Sequence, residues 1–128
     1  MCTLTNFCVL DDIDGITIIC LTDDMSQQDA MLLIDHLREH ELYHYRLLDF
    51  NQYPCQMSSK DIEALAEYDK KFPEKNYGAL IAKDNLTYGL MRKYAAHREM
   101  DDLATIRVFR TMREGIAWLK KKRHDQDK

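Results

Sequence analysis

The amino-acid sequence predicts an α/β domain, a mixed and mostly parallel five-stranded sheet with helices in the order ββαβαβαβα. Two observations carry this. Short apolar runs rich in β-branched and aromatic residues alternate with stretches whose apolar residues recur at helical spacing. From the second run onward each strand is followed by a helix, which is the pattern of parallel strands joined by right-handed crossovers. A third observation sets the domain count. The chain has 128 residues, of which 45% are hydrophobic, enough for a core of its own. No linker, repeat or low-complexity stretch divides it, so residues 1–128 read as a single domain.

The runs Asn6–Leu10 and Ile16–Leu21 flank Asp14-Gly15 and predict an antiparallel hairpin. The pattern then becomes helical: Ala30, Leu33, Ile34 and Leu37 form one face, Ser26 to Asp29 resembles a capping box, and the helix should end near His40. Tyr45–Phe50 is the third strand. Ser58 and Ser59 precede a helix whose face is Ile62, Leu65, Ala66 and Tyr68, and Pro73 closes it. Tyr77–Ala82 reads as a strand buried on both faces. Asp84 or Asn85 caps the next helix, which carries Leu86, Leu90, Met91 and Tyr94 and is mildly interrupted by Gly89. Thr105–Arg110 is the last strand, and Thr111 to Glu114 is a capping box ahead of Ile116 and Leu119.

Composition excludes several classes. Charged residues make up 31% of the chain with a net charge of −4, so no overall field marks a nucleic-acid binder. No apolar run approaches membrane-spanning length and the N-terminus lacks the parts of a secretory signal, which predicts a protein not inserted in membranes. Cys2, Cys8, Cys20 and Cys55 form neither a C-x-x-C pair nor a zinc spacing; they read as reduced thiols of a cytoplasmic protein. His36, His40 and His44 recur every four residues but lie off the core face, and they read as solvated side chains with no metal site. The terminal Lys120–His124 run reads as a solvated helix end. No nucleotide loop, nucleophile elbow or zinc-protease pattern is present, so no catalytic residue and no cofactor is assigned.

Chemistry in α/β domains sits at the carboxyl ends of the strands, which singles out Asp49, Asn51, Ser58, Ser59 and Asp61. A serine before the second helix serves as its cap, and a phosphate there would alter the surface without requiring a new fold. Tyr88, Met91 and Tyr94 offer more apolar surface than one core stripe uses. They mark a candidate partner or ligand surface, either for a homodimer or for a small apolar molecule.

The segments Ala82–Tyr94, with its Tyr88-Gly89 helix after an acidic cap, and Val108–Leu119 give the chain a resemblance to the SpoIIAA-like anti-sigma-factor-antagonist (STAS) domains. That fold is in turn similar to the lipid-binding lobe of CRAL-TRIO proteins. Regulatory STAS proteins carry an Asp-Ser-Ser-Gly-Leu-type phosphorylation motif at the start of the second helix. Ser58-Ser59 occupies a similar place, with Met57 where the motif has Asp and Lys60 where it has Gly. The resemblance implies a non-catalytic regulatory or protein-interaction domain with a protein partner. A module for a small apolar or lipid-like ligand is the second reading, and an enzyme of unknown reaction the third.

Overall fold

A computed structural model describes residues 7–13, 15–39, 45–71, 76–99 and 104–126. The strands are β1 (Phe7–Ile13), β2 (Ile16–Leu21), β3 (Tyr45–Asp49), β4 (Asn76–Ile81) and β5 (Ala104–Phe109). The helices are α1 (Gln27–Glu39), α2 (Ser59–Lys70), α3 (Asn85–Glu99) and α4 (Met112–Gln126). The α/β class, the four parallel strands β2 to β5 and the four helices are as the sequence predicts. His40, His44, Cys2 and Pro73 lie outside the described residues.

The strands lie side by side in chain order, β1-β2-β3-β4-β5, with β1 antiparallel to β2. β1 runs past the apolar run that announces it. Asp11 and Asp12 break the alternation, and the register shifts between Leu10 and Ile13 to absorb them. Gly15 closes the hairpin at φ 81, a backbone conformation that an L side chain resists. An added Cβ there would also meet the Arg123 side chain at 2.6 Å.

Crossovers of one hand that always step in the same direction must bring their helices to the same face. Side-chain alternation along the strands shows this. Ile19, Leu21, Leu80 and Ile106 point into a core shared with Ala30 and Leu33 of α1, Ile62 and Leu65 of α2, and Met91 and Tyr94 of α3. The neighbouring positions Ile16, Ile18, Leu47, Ala79 and Ile81 point the other way and meet Leu119 of α4. α4 leads to no further described strand and is free to cover the second face. It lies close against the sheet at Gly115, where a Cβ would fall 2.6 Å from Ile81 Cδ1. Beside it Tyr45 stacks on Tyr77, with ring centroids 5.6 Å apart, and Trp118 packs edge-on against Tyr77.

Every helix start holds its cap. Ser26 and Asp29 exchange side-chain and backbone bonds before α1, Ser58 and Asp61 form a complete capping box on α2, and Thr111 pairs with Glu114 on α4. Asp84 Oδ2 accepts the Thr87 N–H at 2.9 Å before α3.

Candidate functional site

The carboxyl edge of the sheet is a stitched surface. Strand order never reverses from β2 to β5, so adjoining loops have no switch point at which to splay into a crevice. They bind to one another instead. Asp49 Oδ1 accepts the Asn51 N–H at 2.9 Å, and Asn51 Oδ1 accepts the Lys83 N–H at 2.9 Å, tying the β3–α2 loop to the β4–α3 loop. Arg110 Nη1 donates to the Lys83 carbonyl at 2.8 Å, and its guanidinium lies 3.8 Å from the Tyr88 ring centroid. Cys55 N–H donates to the buried Thr87 Oγ1 at 3.0 Å, which fixes the same loop to α3. Asp49 and Asn51 therefore sit where the sequence places them, half-buried and employed in joining loops. The Thr87 backbone bond holds the Asp84 carboxyl below the usual carboxylate range, against a smaller opposing effect of burial, and Arg110 assists.

Ser58 and Ser59 are both exposed at the start of α2, but they are used differently. Ser58 Oγ accepts the Asp61 N–H at 3.1 Å, and Asp61 Oδ2 accepts the Ser58 N–H at 3.1 Å. Ser59 Oγ is bonded to Lys93 Nζ of α3, and the same ammonium pairs with Glu63 Oε1 at 2.9 Å. Lys93, by hydrogen bond and charge, holds the Glu63 carboxyl below its ordinary range. Lys93 Nζ thus donates to the Ser59 hydroxyl and to the Glu63 carboxylate together.

Met91 and Tyr94 face inward, at 3% and 7% exposure, while Tyr88 is half-buried beneath Arg110. The apolar contact that the sequence assigns to these three thus leaves only Tyr88 at the surface. The reason lies in the width of the core. Three helices share the face, and α3 lies between α2 and β5, so it buries a wider stripe than a helix resting on a sheet alone. Met91 and Tyr94 instead line a cavity of ≈60 Å³ between the helices and the sheet, together with Met25, Met57, Leu33 and the half-buried Arg46. Pockets for drug-sized ligands run to about 300–1,000 Å³, far above this.

Sequence reasoning does not reach the buried polar cluster beside that cavity. Tyr94 OH donates to Asp69 Oδ2 at 2.8 Å, and Arg98 Nε reaches the same oxygen at 2.8 Å, with the Arg98 side chain fully buried. Tyr68 OH donates to Asp35 Oδ1 at 2.6 Å, linking α2 to α1. Burial, reinforced by the Asp69 charge, pushes the Tyr94 hydroxyl well above the tyrosine range and keeps it a donor. The available signal was the four-residue spacing of Tyr94 and Arg98, which places them on one helical face.

Among the described residues no group of three or more His, Cys, Asp or Glu side chains is arranged to hold a metal ion. His36 lies half-buried on α1, and Cys20 and Cys55 are free thiols that burial shifts upward. No helix among the described residues is long and apolar enough to cross a membrane. No protein-family model, curated protein or solved structure matches this chain.

Proposed function

We propose that the chain is a regulatory protein-interaction domain of the STAS type, and that it is switched at Ser59. The observation that carries this is the Ser59–Lys93–Glu63 arrangement. Ser58 spends its hydroxyl on capping α2, whereas Ser59 presents an exposed hydroxyl next to a lysine whose present carboxylate partner is solvated. A phosphate on Ser59 would add a dianion at the positive end of α2, compete with Glu63 for Lys93 and reset the charge of this edge. Leu86, 69% exposed on the first turn of the adjacent helix α3, supplies an apolar contact for a partner on the same side of the domain. The sequential order of the parallel strands supports the STAS reading, and two free thiols fit a reducing cytoplasm. The core cavity of ≈60 Å³ gives a lipid-like ligand no room among the helices.

The test is site-directed photocrosslinking in cells of the source organism, with a photoreactive phenylalanine replacing Leu86 in the full chain. A discrete adduct with another protein, whose yield changes when Ser59→Asp is introduced, is the expected result. Adducts only with the chain itself, or an adduct indifferent to Ser59→Asp, would overturn the proposal.

A further inference from the structure

The edge of the sheet at β5 differs from the edge at β1. In β1 the register shifts between Leu10 and Ile13, and such a bulge blunts a strand against further pairing. β5 pairs with β4 in unbroken register from Ala104 to Phe109. The Phe109 carbonyl accepts the Ala82 N–H at 2.9 Å, so Phe109 faces β4. In a parallel strand the N–H and C=O of one residue point to the same side and alternate from residue to residue. Arg107 therefore serves β4 as Phe109 does, while Ile106 and Val108 turn their backbone groups to the outer edge.

Beside that edge lies an open groove of ≈410 Å³ between β5 and α3. Its room comes from Ala95 and Ala96, whose short side chains leave the flank of α3 low. Exposed Arg92 of α3 lines it, with Tyr88 at the same wall, and exposed Arg107 of β5 borders it from the opposite face of the strand, since Ile106 and Val108 take the α3 side. None of the described residues lining it is acidic.

We propose that this groove binds an extended acidic segment of a partner protein, which adds as a further strand on β5. The backbone groups of Ile106 and Val108 supply the pairing, as in other cases of strand addition, and Arg92 and Arg107 select carboxylates. Two further points fix the occupant. A two-fold pairing of β5 with a second copy would set its Arg107 near the other copy's Arg107, placing like charges together. Alternating amide donors and carbonyl acceptors match a peptide backbone, whereas a nucleic-acid strand offers only acceptors along its phosphates. The surface is separate from Ser59 and does not depend on the switch proposed there.

The experiment uses the full chain and a fluorescein-labelled peptide of about six residues, the length of an ordinary strand, in which Asp-Asp pairs flank Val-Val so that each face carries carboxylates. Anisotropy should show saturable binding, with slowed hydrogen exchange at the Ile106 and Val108 amides. The double variant Arg92→Glu with Arg107→Glu should weaken binding by roughly tenfold or more, since it turns attraction into repulsion. Val108→Pro removes an outward N–H without touching the bonds to β4. It should also abolish binding while the far-ultraviolet circular dichroism stays that of the parent. Equal binding of the matching Lys and Val peptide, unchanged exchange at both amides, or full binding by both variants would overturn the proposal. Tighter binding of an oligothymidylate than of the acidic peptide, or self-association alone, would overturn it as well.

Discussion

At the scale of single residues, two hydroxyls are held for reasons that can be measured. Ser58 satisfies an N–H at the start of α2 that has no partner within the helix, so Ser58→Ala should lower stability by about 1 kcal/mol in chemical denaturation. Ser59→Ala, which removes no cap, should change it far less. Tyr94 tests the buried cluster through pH. Its hydroxyl is raised above the ordinary tyrosine value, so the folded state favours the protonated form. That contribution is complete below about pH 10, the unfolded value, and declines as pH rises beyond it. Tyr94→Phe should destabilise the domain by about 1–3 kcal/mol at neutral pH, because Asp69 loses one buried donor. It should also remove this component of the alkaline loss, seen as a flatter midpoint against pH above 10. A variant whose alkaline profile superimposes on the parent's would show that another group governs it. A cap at Ser58 or Ser59 was legible in the sequence because capping is local, and the structure assigns it to Ser58. Asp69 was not, because its partners Tyr94 and Arg98 come from another helix, and no spacing along the chain records a contact between α2 and α3.

At the scale of elements, the starts of α1 and α4 were read to the residue and those of α2 and α3 to one of two neighbours, Ser58 or Ser59 and Asp84 or Asn85, since capping depends on side chains three positions apart. β1 was read short, because Asp11 and Asp12 interrupt the alternation and only pairing with β2 carries the strand to Ile13. Glycines show the same division. Gly89 has nothing within 4 Å of an added Cβ and costs α3 helix propensity, so Gly89→Ala should stabilise the domain by about 1 kcal/mol. Gly115, also helical, differs only through what lies beneath it. A methyl group there meets Ile81, Leu47 and Ala79 within 3.3 Å, and Gly115→Ala should cost about 1–3 kcal/mol by overpacking. Thermal melts of the pair check both signs at once. If both alanines stabilised, α4 would not sit as close to the sheet as described.

At the scale of the whole molecule, one helix does on the second face what three do on the first. The strand and helix alternation was legible in the sequence, but the division of helices between faces follows from strand order, which no local pattern encodes. That division makes α4 the critical cover, and Leu119, fully buried against β2 to β4, its central contact. Leu119→Ala should cost about 2–5 kcal/mol, the range for a leucine removed from a closed core. This is a large part of the roughly 5–15 kcal/mol that holds a domain of this size together. The loss should be felt on both faces. Along β2 the residues Ile16 and Ile18 serve one core and Ile19 and Leu21 the other, so neither layer can loosen without moving the strand that supports its neighbour. Denaturation of Leu119→Ala followed by Trp118 fluorescence, which reports the α4 face, should therefore coincide with the transition seen in far-ultraviolet circular dichroism. A fluorescence transition that came well before the loss of secondary structure would mean that α4 detaches alone, and that the two cores are independent.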